Sequence, residues 1–90
     1  MKQEIIQTIQ TVCQELYGQE VVVELERPEE QFGDYATNVA MRLAKEIGKN
    51  PREIAQEIVE KLHNQPIFEQ VGVAGPGFIN MTLSDNLLMS

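Results

Sequence analysis

The segment "VGVAGPGFINMTL" constrains the fold more than any other part of the chain. Ile79, Met81 and Leu83 alternate with Phe78, Asn80 and Thr82, so a strand here turns one apolar face inward. "FEQVGVA" before it brings Val71 and Val73 beside that face. Gly75-Pro76-Gly77 between the two runs is hairpin chemistry, with Pro76 and Gly77 where a type II turn asks for them. A two-stranded hairpin alone is marginal in water. The Ile79-Met81-Leu83 face therefore needs a cover, and the rest of the sequence has to supply it.

Three helical stripes can do so. Ile5, Ile6, Ile9, Val12, Cys13 and Leu16 fall on one side of a first helix that Gly18 ends. Ala36, Val39, Ala40, Leu43, Ala44 and Ile47 mark a second, with Asp34 or Thr37 as its cap and Gly48 just past its end. "NPRE" opens a third: Asn50 caps, Pro51 suits the first helical position, and Glu53 sits where a capping box wants it. Its buried stripe is Ile54, Ala55, Ile58, Val59 and Leu62. Only Lys49 separates Gly48 from Asn50, so helices two and three form a tight hairpin. "EVVVELE" reads as a further strand with Val21, Val23 and Leu25 inward, and "RPEEQFGD" as a loop turned at Gly33. The expected fold is α+β, a small antiparallel sheet of three or four strands with helices packed on one face. Residues 1–90 form one domain. The terminal "SDNLLMS" reads as an N-capped helix of barely one turn. Such a turn is unstable alone, so the natural chain is expected to continue past Ser90.

Little of the sequence suggests catalysis. His63, at the end of the third helix, lacks identifiable convergent partners and is expected to face water or the helix dipole. Cys13 lies on an apolar helix face as a core thiol; a single cysteine forms no internal bridge and suits a reducing cytoplasm. No cysteine, histidine or carboxylate spacing matches a metal site. "GVAGPGF" joins two strands with no lysine following, so it is a turn and not a phosphate loop. No apolar run is long enough to span a membrane.

The chain carries a formal net charge of −7, which opposes nonspecific nucleic-acid binding. Yet Arg42, Lys45, Lys49 and Arg52 cluster with only Glu46 opposing them. Asn38, Arg42, Lys45 and Lys49 are spaced as one outward stripe of a helix. Directly before them, "QFGDYATN" places Phe32 and Tyr35 around a Gly-Asp turn. Rings that stack on unpaired bases, beside cations that meet phosphates, are a general means of holding loop RNA. The bland alternative is a charged face that keeps a helix soluble, with the rings plugging the core; of the two, Phe32 is the readier to be buried, since the Tyr35 hydroxyl wants a polar neighbour. The open face of the sheet would carry Glu24 and Glu26 and so repel phosphate. An interface for another protein also stays open at this point.

"FGDYATNVAMRLAKEIGKNPREIAQEIV" and "VGVAGPGFINMTLS" together resemble the N-terminal appended domain of arginyl-tRNA synthetases, in order and spacing over essentially all ninety residues. The resemblance implies a class I ligase that uses ATP to attach arginine to its tRNA. It further implies that this domain contacts the outer corner of the tRNA, around the D-loop, while aminoacylation occurs in a following catalytic domain of the same chain. Neither the His-Ile-Gly-His nor the Lys-Met-Ser-Lys-Ser signature of that domain is present, so no cofactor is expected here and ATP belongs to the parent enzyme. Phe32, Gly33, Asp34, Tyr35 and Asn38 match the family's turn. Many members place Gln after the Tyr where this chain has Ala36, so a contact through that amide is unavailable. Phe32, Tyr35, Asn38, Arg42 and Lys45 are thus the expected tRNA-binding residues. Gly33 is expected to serve backbone geometry and Asp34 a turn or helix cap.

Overall fold

The computed structural model describes residues 2–84; the short terminal helix read from "SDNLLMS" lies outside the described residues. Helix α1 (Lys2–Tyr17) is followed by an extended segment and a single 3-10 turn (Glu30–Phe32). Then come β1 (Tyr35–Thr37), α2 (Val39–Ile47), α3 (Pro51–Leu62), β2 (Phe68–Ala74) and β3 (Phe78–Leu83). The sheet is antiparallel in the order β1-β3-β2, and the expected α+β arrangement is the one found.

Strand β3 is the organising element. Ile79 and Met81 are completely buried, and Leu83 nearly so, against Ile5 and Ile9 of α1, Val39 and Leu43 of α2, and Ile54, Ile58 and Leu62 of α3. Phe78, Asn80 and Thr82 face the other way and are only partly covered. Alternation along one strand thus separates a dry face under three helices from a polar face that no described helix covers.

The helix-starting signals act largely as read. The Asn50 side chain accepts a hydrogen bond from the Arg52 N–H at 2.8 Å, with Pro51 at the first position. Asn38 is the N-cap of α2, and the side-chain bond to the helix start comes from the position before it, where the Thr37 hydroxyl, and not Asp34, accepts from the Val39 N–H at 3.3 Å. Gly48 ends α2 in the left-handed conformation. Ala36 does not belong to the α2 face. It lies in β1, paired with Asn80, because three residues of chain reach β3 before the helix begins.

"EVVVELE" is extended but forms no strand of the sheet. The edges of β3 are taken by β1 and β2, and β1 is only three residues long before the chain turns into α2. A single bridge, Glu26 to Ala36, is all that this short edge supports. The inward alternation survives: Val23 is buried, while Val21 and Leu25 pack against the core. The Val21 and Val22 carbonyls accept hydrogen bonds from side chains instead, Gln10 Nε2 at 3.1 Å and Arg42 at 3.4 Å.

The β2–β3 turn is displaced by one residue from the type II expectation. The Gly77 N–H donates to the Ala74 carbonyl at 3.4 Å, which makes Gly75 and Pro76 the central pair. Gly75, at φ 57°, supplies the positive φ that hairpin turns of the mirror-image classes require at their first central residue. The turn is fastened to the start of α3 by Arg52, which donates to the Gly75 carbonyl at 3.0 Å.

Candidate nucleic-acid interface

The Phe-Gly-Asp turn is bolted to β3 from both sides. The Asp34 N–H donates to the Met81 carbonyl at 2.8 Å, and the Asp34 carboxylate accepts from the Leu83 N–H at 2.8 Å. Between them, Gly33 passes so close to the strand that a Cβ built on it would lie 2.7 Å from the Met81 carbonyl oxygen, at φ 117°. Glycine is required there by both space and dihedral. Ahead of this anchor the 3-10 turn lifts Phe32 outward, and the residue is 51% exposed. An aromatic side chain held in water by an anchored backbone is not the core plug of the bland alternative.

Phe32 borders a shallow depression of ≈ 600 Å³ on the helix-free side of the sheet. Gln70, Gly72, Asn80 and Thr82 line it, together with Glu30, Asp34 and His63. In the register, Asn80 lies between Ala36 on β1 and Gly72 on β2, two small residues that leave its amide accessible from above. The surface is therefore an aromatic ring next to amide and hydroxyl groups, the donor and acceptor set that reads base edges. Glu24 and Glu26 do not line the depression. Glu26 sits at the margin beyond β1 and Glu24 pairs with Arg42. The acid expected on the open face is nonetheless present in other residues: Glu30 and Asp34 line the depression, and Glu26, bridged to Ala36, shares its face, so phosphate is repelled there while a neutral base is not. Gln70, Asn80 and Thr82 were legible as outward residues of their strands, but only the pairing register shows that they converge beside Phe32.

Tyr35 is half-buried and packs against the core cluster, paired with Met81 and so on the helix side of the sheet. The Arg27 guanidinium carbon lies 5.5 Å from its ring centroid, so a cation already covers one face of the ring. Phe32 and Tyr35 thus do not form one aromatic patch. Asn38 stands at the entry to α2; its side chain makes no capping bond, and its carbonyl accepts from the Met41 and Arg42 amides.

The cations are distributed, not aligned. Arg42 lies 3.7 Å from Glu24 and also donates to the Val22 carbonyl, tying the extended segment to α2. Lys49, past the end of α2, turns to Glu57 at 3.1 Å and lies 5.9 Å from the Tyr17 ring centroid. Arg52 holds the hairpin. Lys45 is exposed and, among the described residues, has neither a side-chain hydrogen bond nor an ion pair. Arg42 and Lys45 remain neighbours on the outer face of α2, and the Arg42–Glu24 pair, with side chains 47% and 64% exposed, is weak enough to exchange for another anion.

Elsewhere the titratable groups are structural. The Tyr17 hydroxyl donates to Glu57, joining α1 to α3. That bond, with Lys49, holds the Glu57 carboxyl below the usual carboxylate range, while burial, reinforced by Glu57, pushes the Tyr17 phenol up. Burial also raises the Cys13 thiol to about 11, in keeping with an inert core residue. Among the described residues no helix is long and apolar enough to cross a membrane.

A family model described as arginyl tRNA synthetase N terminal domain matches residues 1–83. The arginine–tRNA ligase of Thermotoga maritima is 52% identical over 85 residues, which cover 93% of this chain and 16% of that protein. That of Pasteurella multocida is 52% identical over 58 residues, covering 64% of this chain and 10% of that protein. The chain therefore spans about a sixth of the length of its curated relatives. Among solved structures, Thermus thermophilus arginyl-tRNA synthetase superposes with a TM-score of 0.80 at 29% identity, over 99% of this chain and 15% of that one. The Plasmodium falciparum enzyme gives 0.83 at 24% identity, over 96% and 16%, a likeness of fold.

Proposed function

Because the chain belongs to the family of arginyl-tRNA synthetase N-terminal domains, we propose that residues 1–90 form a single tRNA-positioning domain of a longer arginine–tRNA ligase. The parent reaction is the ATP-dependent joining of arginine to its tRNA. Chemistry and the ATP site belong to a catalytic domain of the same chain, and this domain grips the outer corner of the tRNA around the D-loop. Its contribution is proximity: a weak hold at a distance raises the effective concentration of the acceptor end and orients it.

One observation carries this reading: the half-exposed Phe32 on a turn pinned to β3 at Gly33 and Asp34. A ring ordered in advance loses little freedom when a base stacks on it. Phe32 stacks on an unpaired loop nucleotide, and Asn80, Gln70 and Thr82 offer hydrogen bonds to its edge. Asn38 donates to a neighbouring base or ribose. Lys45 meets phosphate directly, and Arg42 does so after leaving Glu24. Tyr35, on the helix side of the sheet with Arg27 over its ring, meets RNA only where Arg27 gives way.

Titration of an unmodified arginine-accepting tRNA with the ninety-residue chain tests it. Phe32→Ala is expected to remove about 1–3 kcal/mol of stacking, a fivefold or greater loss of affinity. Arg42→Ala/Lys45→Ala is expected to weaken binding and flatten its salt dependence. Unchanged affinity for both variants, with folding intact by circular dichroism, would assign the turn to a protein interface with no RNA contact.

A further inference from the structure

We propose that the depression beside Phe32 is directional: it admits one unpaired nucleotide with the phosphate at His63 and the base toward Phe32. This rests on the RNA-positioning reading above. Three lining residues can carry charge, and they are of opposite kinds. Glu30 and Asp34 belong to the turn that carries Phe32. His63 arrives from elsewhere in the sequence, one position past the last residue of α3. It is brought there because the chain folds back tightly after the helix: Gln65 donates to the Leu62 carbonyl, and the Phe68 N–H to the Gln65 carbonyl, as β2 begins.

The imidazole is exposed, and among the described residues its side chain makes no hydrogen bond or ion pair. Either ring nitrogen bearing a proton can donate to a phosphate oxygen. The sheet order β1-β3-β2 puts Asp34, directly before β1, and the chain that leads from His63 into β2 on opposite sides of β3; on the Asp34 side, Glu30 is exposed and carries no salt bridge among the described residues, and Asp34 keeps its carboxylate against the Leu83 amide. A phosphate at the Phe32 end would meet two carboxylates, whereas a neutral base there would meet a ring and polar groups. Electrostatics therefore sets which end of the nucleotide enters where. The lining between the poles is uncharged: Gln70, Gly72, Asn80 and Thr82.

The experiment titrates the same tRNA with the ninety-residue chain and four variants, Phe32→Ala, His63→Ala, His63→Lys and Glu30→Gln, from about 50 to 200 mM salt. Circular dichroism confirms folding of each. His63→Ala is expected to weaken binding several-fold. His63→Lys is expected to restore or exceed the original affinity and to steepen the log–log salt dependence by up to about 0.7, one phosphate contact on an unpaired strand. Glu30→Gln is expected to tighten binding. If Phe32→Ala loses affinity while the His63 and Glu30 variants match the unaltered chain, the orientation is wrong and the RNA-positioning reading stands. If Phe32→Ala is also silent, that reading falls first and takes the orientation with it.

Discussion

Replacing Gly33 by alanine tests the geometry on which the exposed ring depends. Two penalties are expected. An L-residue at φ 117° is strained, at about 1–3 kcal/mol. The new Cβ would also meet the Met81 carbonyl oxygen at 2.7 Å and that carbonyl carbon at 3.1 Å. Both are backbone atoms of the central strand, already committed to the Asp34 N–H, so neither can rotate away as a side chain would. Relief must come from the turn, at the expense of the Asp34 bonds to Met81 and Leu83, each worth about 1 kcal/mol. A total of about 3–5 kcal/mol follows. Gly48→Ala is the internal control. Its φ of 70° is also positive, but nothing lies within 4 Å of the added carbon, so only a backbone cost of about 1 kcal/mol is expected. Urea unfolding of both variants separates close approach from dihedral strain, and amide exchange reports whether the Asp34 and Leu83 N–H groups lose protection. Equal destabilisation of the two variants, with those amides still protected, would refute the close approach and the rigid placement of Phe32 argued from it.

Two further outcomes follow from local chemistry. Asn50→Ala removes the acceptor for the Arg52 N–H and is expected to cost about 1 kcal/mol in urea unfolding. The Glu57 carboxyl is held down first by the Tyr17 hydroxyl and then by Lys49. A depressed folded-state value means that its stabilisation is present above the ordinary carboxylate range and is lost as pH falls through the folded value. The unaltered chain is therefore expected to lose its advantage in melting temperature over Tyr17→Phe as the pH drops from 7 into the acid range; an advantage constant with pH would break the link.

Legibility in the sequence tracked the distance over which each residue acts. The β2–β3 hairpin, α1 and α3 announce themselves through patterns complete within a dozen residues, and their boundaries fall where Gly18, Asn50 and Gly75-Pro76-Gly77 place them. "EVVVELE" has the same local alternation, but strand membership depends on an available neighbour, and β1 is too short to provide one. Asp34 looked able to cap the helix just after it, yet it bonds to Leu83, 49 residues away. Spacing correctly put Arg42 and Lys45 on one exposed face but said nothing of Glu24, which reaches Arg42 from a different segment. His63 had no visible company because its neighbours in the depression come from the 3-10 turn, β2 and β3. Residue types mark the Phe32 turn in the sequence, whereas the exposure of Phe32 follows from a backbone pinned by distant partners.

The sparse free cations bear on how such a domain would act. Of the four cations between residues 42 and 52, Lys49 and Arg52 are engaged in holding the fold, which leaves Lys45 and an exchangeable Arg42 for phosphate on the outer face of α2. With one or two neutralised phosphates, a slope of about −0.7 per contact on an unpaired strand predicts an affinity loss of only about threefold to sevenfold between 50 and 200 mM salt. A general polyanion binder with six to ten contacts would lose about 10³–10⁵ over the same interval. The body of this domain, at net charge −7, also repels RNA that approaches elsewhere on its surface. Ring and amide contacts must then provide most of the hold, and these need an unstacked base to meet them. Duplex offers neither an accessible ring face nor relief from repulsion, so excess double-stranded RNA should compete poorly with a loop-bearing tRNA. Competition titrations measure this directly, and equal competition by duplex at equal phosphate concentration would mean that charge alone governs the binding.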